Sequence, residues 1–303
     1  MTPVWLGMPL PLASAVVAAA VALGVALLGP PIKYGFDKKF QQRKLDIEYA
    51  YEQQKELRNR IALYKGLLLE TGGQMRSRLW NFFQHGGHGW LRMSQGEHSG
   101  YYIRSFSYRI LCLVASLRLI ERQAFYVDSV VATRQDRRLL EAMKLGIDVW
   151  TKADLFSGLP YDGGVAADHF LRDRLTDLAD TMYDDGRLIS LSEFEARLAR
   201  DREAYDVVFR FLDGLKREEG GRYRFDRLVA VQLNLLATLN RFGYEYQQVP
   251  VEAFRVAANQ CEHPIVLRNL CFMVRRYRLE DEPGYKELIV AADALGTRVD
   301  PED

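Results

Sequence analysis

No charged side chain occurs between Met1 and Ile32, and all 41 Lys and Arg and 40 Asp and Glu residues fall behind that stretch. Within it, Leu10 to Gly29 reads LPLASAVVAAAVALGVALLG, twenty uncharged residues. At ~1.5 Å of rise per residue, a helix of that length matches the hydrocarbon core of a bilayer. A cleavable signal peptide is the competing reading, since the run is rich in Ala. Signal peptides, however, begin with a basic segment, and here the first basic residue is Lys33, after the apolar run. Lys33, Lys38, Lys39, Arg43 and Lys44 then follow against Asp37 alone. By the positive-inside rule this predicts a single-pass anchor in the bacterial inner (cytoplasmic) membrane, with the N-terminus outside and the C-terminal domain cytoplasmic. The bilayer is thus the first expected partner.

Ala20 and Gly24 lie four apart on this helix, a small-xxx-small surface that permits close approach of a second copy. Pro30-Pro31 should stop or kink the span. Beyond it, residues 33–70 carry apolar residues at heptad spacing: Phe36, Phe40, Ile47, Ala50, Leu57, Ile61, Tyr64 and Leu68, interrupted by Arg43 and Gln54. That seam fits an intermolecular coiled coil through Ile47, Leu57 and Ile61, or a helix that lays its stripe on its own domain.

Glycine clusters over 71–100 and surrounds a short helical segment, QMRSRLWNFFQ, which predicts a break between stalk and body. From there to residue 303 the periodicity is helical, with spans at 101–127, 134–153, 165–183, 192–216, 224–242, 250–260, 264–279 and 284–295. Ser192 with Glu195 reads as a capping box. The stretch 110–127 is strongly apolar, but Arg118, Glu121 and Arg122 make it a core helix rather than a second span. The expected architecture is therefore all-α. It comprises an N-terminal transmembrane helix (1–32), a long coiled-coil-like stalk helix (33–70), a Gly-rich connector with a short helix (71–100), and a cytoplasmic multi-helix bundle (101–303).

Chemistry is harder to find. His85, His88 and His98 are spaced as H-x2-H-x9-H, a candidate metal set that lacks a clear fourth ligand and reads equally as a polar loop. Arg78 and His85 have the spacing of a pair used by one class of helical ribonucleases, a spacing that also arises by chance in an Arg-rich chain. His169, Asp173, Asp177 and Asp180 recur at three and four residues and would share one helix face, where His169 and Asp173 are candidates for acid–base or metal chemistry. Arg172, Arg174 and Arg187 are close enough to neutralise them. Tyr and Arg alternate at Tyr101, Tyr102, Arg104, Tyr108 and Arg109, a pattern that can stack on bases or clamp phosphates. The net charge of +1 gives no support to nucleic-acid binding. Cys112, Cys261 and Cys271 have no CxxC spacing and read as reduced core residues. GxGxxG, Walker, HExxH and GxSxG patterns do not occur, and no cofactor is expected.

The order of segments PPIKYGFDKKF, RLWNFF, GYYIRSFSYRILCL, LIERQAFYVD, LFSGLPYD, ADHFLRD and DRLVAVQLNLLATLNRFGY resembles that of a family of bacterial single-pass, N-terminally anchored α-helical membrane proteins. The resemblance runs over nearly the whole chain and implies an anchored helical domain, with no activity attached. A more distant similarity, in architecture alone, is to membrane-anchored helical accessory proteins of bacterial antiviral systems, some of which oligomerise. Taken together, the sequence favours a membrane-tethered, self-associating interaction or effector protein, with a role in defence or stress response and a further protein partner, over an enzyme. The alternative is an anchored hydrolase using Arg78 and His85, or His169 with the Asp face.

Overall fold

The computed structural model describes residues 4–5, 8–85, 89–93, 100–125, 133–164, 168–217 and 222–296, with the side chains of 4–5, 8–13, 27–32, 35–37, 60, 123–125 and 296 left undescribed. The fold is all-α. Two short antiparallel ladders accompany the helices: β1 (Val4–Trp5) pairs with β2 (Met8–Pro9), and β3 (Tyr183–Asp184) with β4 (Arg187–Leu188). Asp185 and Gly186 both have positive φ between β3 and β4, as a tight two-residue hairpin turn requires.

Helix α1 runs without interruption from Leu10 to His85, and the chain divides into two compact units, Met1–Glu56 and Leu57–Asp303. In the first unit the helix is exposed on every side. Val16, Val17, Val21, Leu23 and Val25 are half to two-thirds exposed, as are Leu45, Ile47, Tyr49 and Tyr51 further along. Among the described residues no helix is long and apolar enough to cross a membrane. Both ends of the expected anchor fall on side chains outside the described residues, which within Leu10–Gly29 are Ser14 to Ala26.

Two expectations about α1 are corrected. Pro30-Pro31 does not end it, and the glycines at 72 and 73 do not break it. In the second unit these glycines face other elements: a Cβ on Gly72 would meet Leu239 at 3.5 Å, and one on Gly73 would meet Gln247 Nε2 at 3.4 Å. Gln247 donates through Nε2 to the Leu69 carbonyl at 2.8 Å. Both distances are ordinary van der Waals contacts, so α1 passes beside Leu239 and Gln247 here without requiring glycine. The heptad stripe also divides. Leu57 is 1% exposed and Ile61 6%, so both are buried in the second unit's own core, whereas Ile47 is 63% exposed.

The second unit is built from α2 (Tyr101–Phe125), α3 (Arg134–Thr151), α4 (Arg172–Asp180), α5 (Leu191–Arg200), α6 (Arg202–Leu212), α7 (Arg224–Phe242), α8 (Val251–Ala258), α9 (Pro264–Arg276) and α10 (Tyr285–Gly296). Helix α2 packs on α3, α4, α5 and α6, while α7 packs on α3, α8, α9 and α10. Nearly every residue of α7 from Arg224 to Leu239 is buried, which makes it the central helix.

The expected helix over 192–216 is two helices. Asp201, with φ −141° and ψ 83°, ends α5 and caps α6 by accepting from Ala204 N–H. The capping box is Ser190 with Glu193, not Ser192 with Glu195: Glu193 N–H donates to Ser190 Oγ and Ser190 N–H to Glu193 Oε2. The helix expected from 165 starts only at Arg172. Asp168, His169 and Phe170 are consecutive and all buried, and they serve three different contacts.

Two arginines at the start of α7 tie the core to other helix ends. Arg224 donates through NH1 to the carbonyls of Arg210, Phe211 and Asp213, at the end of α6. Arg227 donates to Val149 O at 2.6 Å and Lys152 O at 3.0 Å, at the end of α3. A cation there satisfies orphan carbonyls and complements the helix dipole. Replacing Arg224 by Leu orphans three carbonyls and should lower unfolding stability by about 3 kcal/mol, measurable by denaturant melts of the detergent-solubilised chain.

Candidate functional site

The richest group of ionisable and aromatic side chains surrounds the N-terminus of α7. Arg227 is fully buried there, its guanidinium 4.6 Å from the Phe156 ring centroid, and burial pushes its pKa down to about 10. Phe156 packs edge-on against Tyr161 at 4.6 Å and against Tyr223 at 5.6 Å. Tyr161 Oη lies 2.6 Å from His169 Nδ1. Burial raises the Tyr161 pKa and, with Arg227 nearby, lowers that of His169, while Asp168 opposes the second shift. The phenol therefore keeps its proton and the imidazole stays neutral, which makes the hydroxyl the donor to Nδ1.

The same cluster continues on the other side of Tyr223, whose backbone adopts the left-handed conformation with φ 55°. Its ring meets His263 edge-on at 4.9 Å. His263 Nδ1 is 2.7 Å from Asp226 Oδ2, and Asp226 also accepts the backbone N–H groups of Glu262 and His263 at 2.7 and 3.1 Å. Burial and the adjacent Asp226 push the Cys261 thiol well up, so it is not a thiolate nucleophile at neutral pH. Asp226, Glu262 and His263 can each bring one ligand atom within 4.8 Å of the others, an O/O/N set suited to a divalent transition metal. As arranged, these atoms have other work. Asp226 holds the turn before α9, and Glu262 faces Arg217 at 3.5 Å.

The expected pairings are rearranged. His169 precedes α4 and does not share a helix face with Asp173, which is exposed on the first turn of α4. Asp180 pairs with Arg122 and Asp168 with Arg222, so these two acidic residues are salt-bridged to different elements. Arg78 donates to Ser105 Oγ at 2.9 Å, while His85 Nδ1 contacts the Asn81 carbonyl at 3.1 Å and its ring stacks on Trp90 at 5.9 Å. The two face different partners. His88 and His98 lie outside the described residues. Ala20 is exposed, and a Cβ on Gly24 would meet nothing within 4 Å.

Tyr161, Tyr223, Asp226 and Glu262 carry no local sequence signal for this cluster. His263 is visible beside Cys261, but its partner Asp226 is 37 residues away on another helix. No family model matches the chain, and neither curated proteins nor solved structures give a match.

Because His169 is held neutral, the unfolded chain takes up a proton more readily than the folded one as pH falls. That part of the stability is present above about pH 6.5 and is lost progressively below it. His169→Gln should flatten the decline in melting temperature between about pH 6.5 and pH 5, as followed by thermal melts across that range; an unchanged slope would mean that His169 does not contribute to it.

Proposed function

We propose that the protein is a membrane-tethered, self-associating interaction or effector protein, held in the bacterial inner membrane by its N-terminal helix with the helical domain on the cytoplasmic side. One observation carries this reading: among the described residues, the apolar helix of the first unit has its side chains exposed. Val16, Val17, Val21, Leu23 and Val25 project around the helix at about 100° per residue, so no single packing partner would hide them all. Leaving such side chains in water costs about 25 cal/mol per Å2 of apolar surface, and lipid covers every face at once. The basic residues from Lys33 to Lys44 that follow fit the cytoplasmic headgroup region.

Self-association rests on the same helix. Gly24 and Ala20 offer a surface without bulk, and a second copy can approach there without a clash. Ile47, exposed on the first unit, extends the contact beyond the membrane, whereas Leu57 and Ile61 serve the domain core and not the partner.

The full chain should stay with the membrane fraction through alkaline carbonate washing and be released by detergent, while a chain lacking 1–32 should not. Gly24→Leu should reduce the mass of the detergent-solubilised assembly measured by light scattering, with anchoring unchanged. Recovery of the full chain in the soluble fraction would overturn the tether, and a wild-type monomer in detergent would overturn the assembly.

A further inference from the structure

At the junction of α1 and α2, two cations converge on one hydroxyl. Arg78 NH2 donates to Ser105 Oγ at 2.9 Å, and Arg109 NH1 donates to the same oxygen and to the Ser105 carbonyl at 3.2 Å. Ser105 is fully buried. Among the described residues neither guanidinium has a carboxylate partner. The acids on neighbouring turns are engaged elsewhere: Glu195 takes Arg104 at 2.9 Å, and Glu70 accepts from Gln74 at 3.2 Å. Most other arginines of this unit are neutralised by Asp or Glu or spent on helix-end carbonyls. Two half-buried like charges around a neutral oxygen repel one another, and a ligand that brings negative charge relieves that repulsion.

The surroundings specify the ligand further. The Arg78 guanidinium lies 4.4 Å over the Tyr102 ring, and Tyr102 Oη donates to Asn81 Oδ1 at 3.0 Å. Trp90 packs 4.9 Å from Tyr102, with His85 stacked on it at 5.9 Å. Trp90 remains 41% exposed. Tyr102, Ser105 and Arg109 lie on the first turns of α2, where the positive end of a helix of 25 residues adds to the field. The fork of an Arg pair matches the oxygens of a phosphate, and the exposed part of the Trp90 indole, beside Tyr102 and His85, can meet a planar ring.

We infer that Arg78 and Arg109, joined through Ser105, form a binding site for a phosphate ester, and that the Trp90–Tyr102 shelf beside it takes the base of a mononucleotide. The site is built independently of the membrane reading and stands whether or not the chain is anchored.

The test is calorimetric titration of the full chain in detergent micelles with AMP, ribose 5-phosphate and inorganic phosphate. All three should bind wild type, AMP the tightest. Arg78→Gln and Arg109→Gln should each weaken all three by about tenfold or more, and without ligand should melt no lower than wild type, because each removes a like-charge contact. Arg109→Lys, which keeps the charge, should retain measurable phosphate binding. Trp90→Ala should bring AMP down to the affinity of ribose 5-phosphate. No binding of any probe to wild type, or unchanged binding in both Gln variants, overturns the site. Melting of both Gln variants well below wild type makes the arginines structural braces and also overturns it. Equal affinity of wild type for AMP and ribose 5-phosphate overturns the base shelf.

Discussion

The helical domain depends on placing two guanidinium groups at the buried start of α7. A helix buried on all sides cannot send its charged residues to water, so Arg224 and Arg227 must find acceptors inside. They find them where other helices leave carbonyls unsatisfied, at the ends of α6 and α3. Each need answers the other: the carbonyls require donors and the cations require acceptors, and neither is met without the other. Arg227 does this without a bonded carboxylate, and its lowered pKa is the electrostatic record of that burial. The aromatic rings of Phe156, Tyr161 and Tyr223 close over the same end. The most ionisable region of the domain is therefore also the point where its helices are joined.

Carboxylates do comparable work elsewhere among the helices. Asp148 and Glu121 are buried, and Arg172 bridges them at 2.7 and 3.1 Å while Tyr277 donates to Asp148 at 2.7 Å. Glu282 is held between Arg241 at 2.6 Å and Arg138 at 3.3 Å. Such networks fix which helix lies beside which, because removing one member leaves a buried charge without its counter-ion. The near-neutral net charge of the chain thus reflects acids and bases paired across elements rather than an inert surface.

What could be read from the sequence follows the range of the interactions. The span 224–242 is legible to the residue, since a long apolar run with helical periodicity is a local property. Asp201 was not legible as a break: its role as a cap depends on a backbone turn that the surrounding periodicity conceals. The spacing of His169 to Asp173 reads as helical, whereas residues 168–170 form a buried turn and bend ahead of α4. Arg78 was singled out with His85, and the structure gives it Ser105 instead, a residue 27 positions away. Long-range partners of this kind leave no trace in spacing. The apolar leader is the opposite case: its meaning lies wholly in composition, and the described side chains from Ser14 to Ala26 are nearly all exposed.

The paired glycines of α1 sit at an axial key. At 69, 72 and 73 this helix meets Leu239 and Gln247, so the rest of α1 within the domain is indexed to that point. One residue inserted between Leu68 and Thr71 would turn the segment before it by about 100° and carry Leu57, Ile61 and Leu68 out of the core. The same insertion before Leu57 would leave the core register untouched. The length of the exposed part of the helix is therefore free to vary in evolution, while the length of the buried part is not.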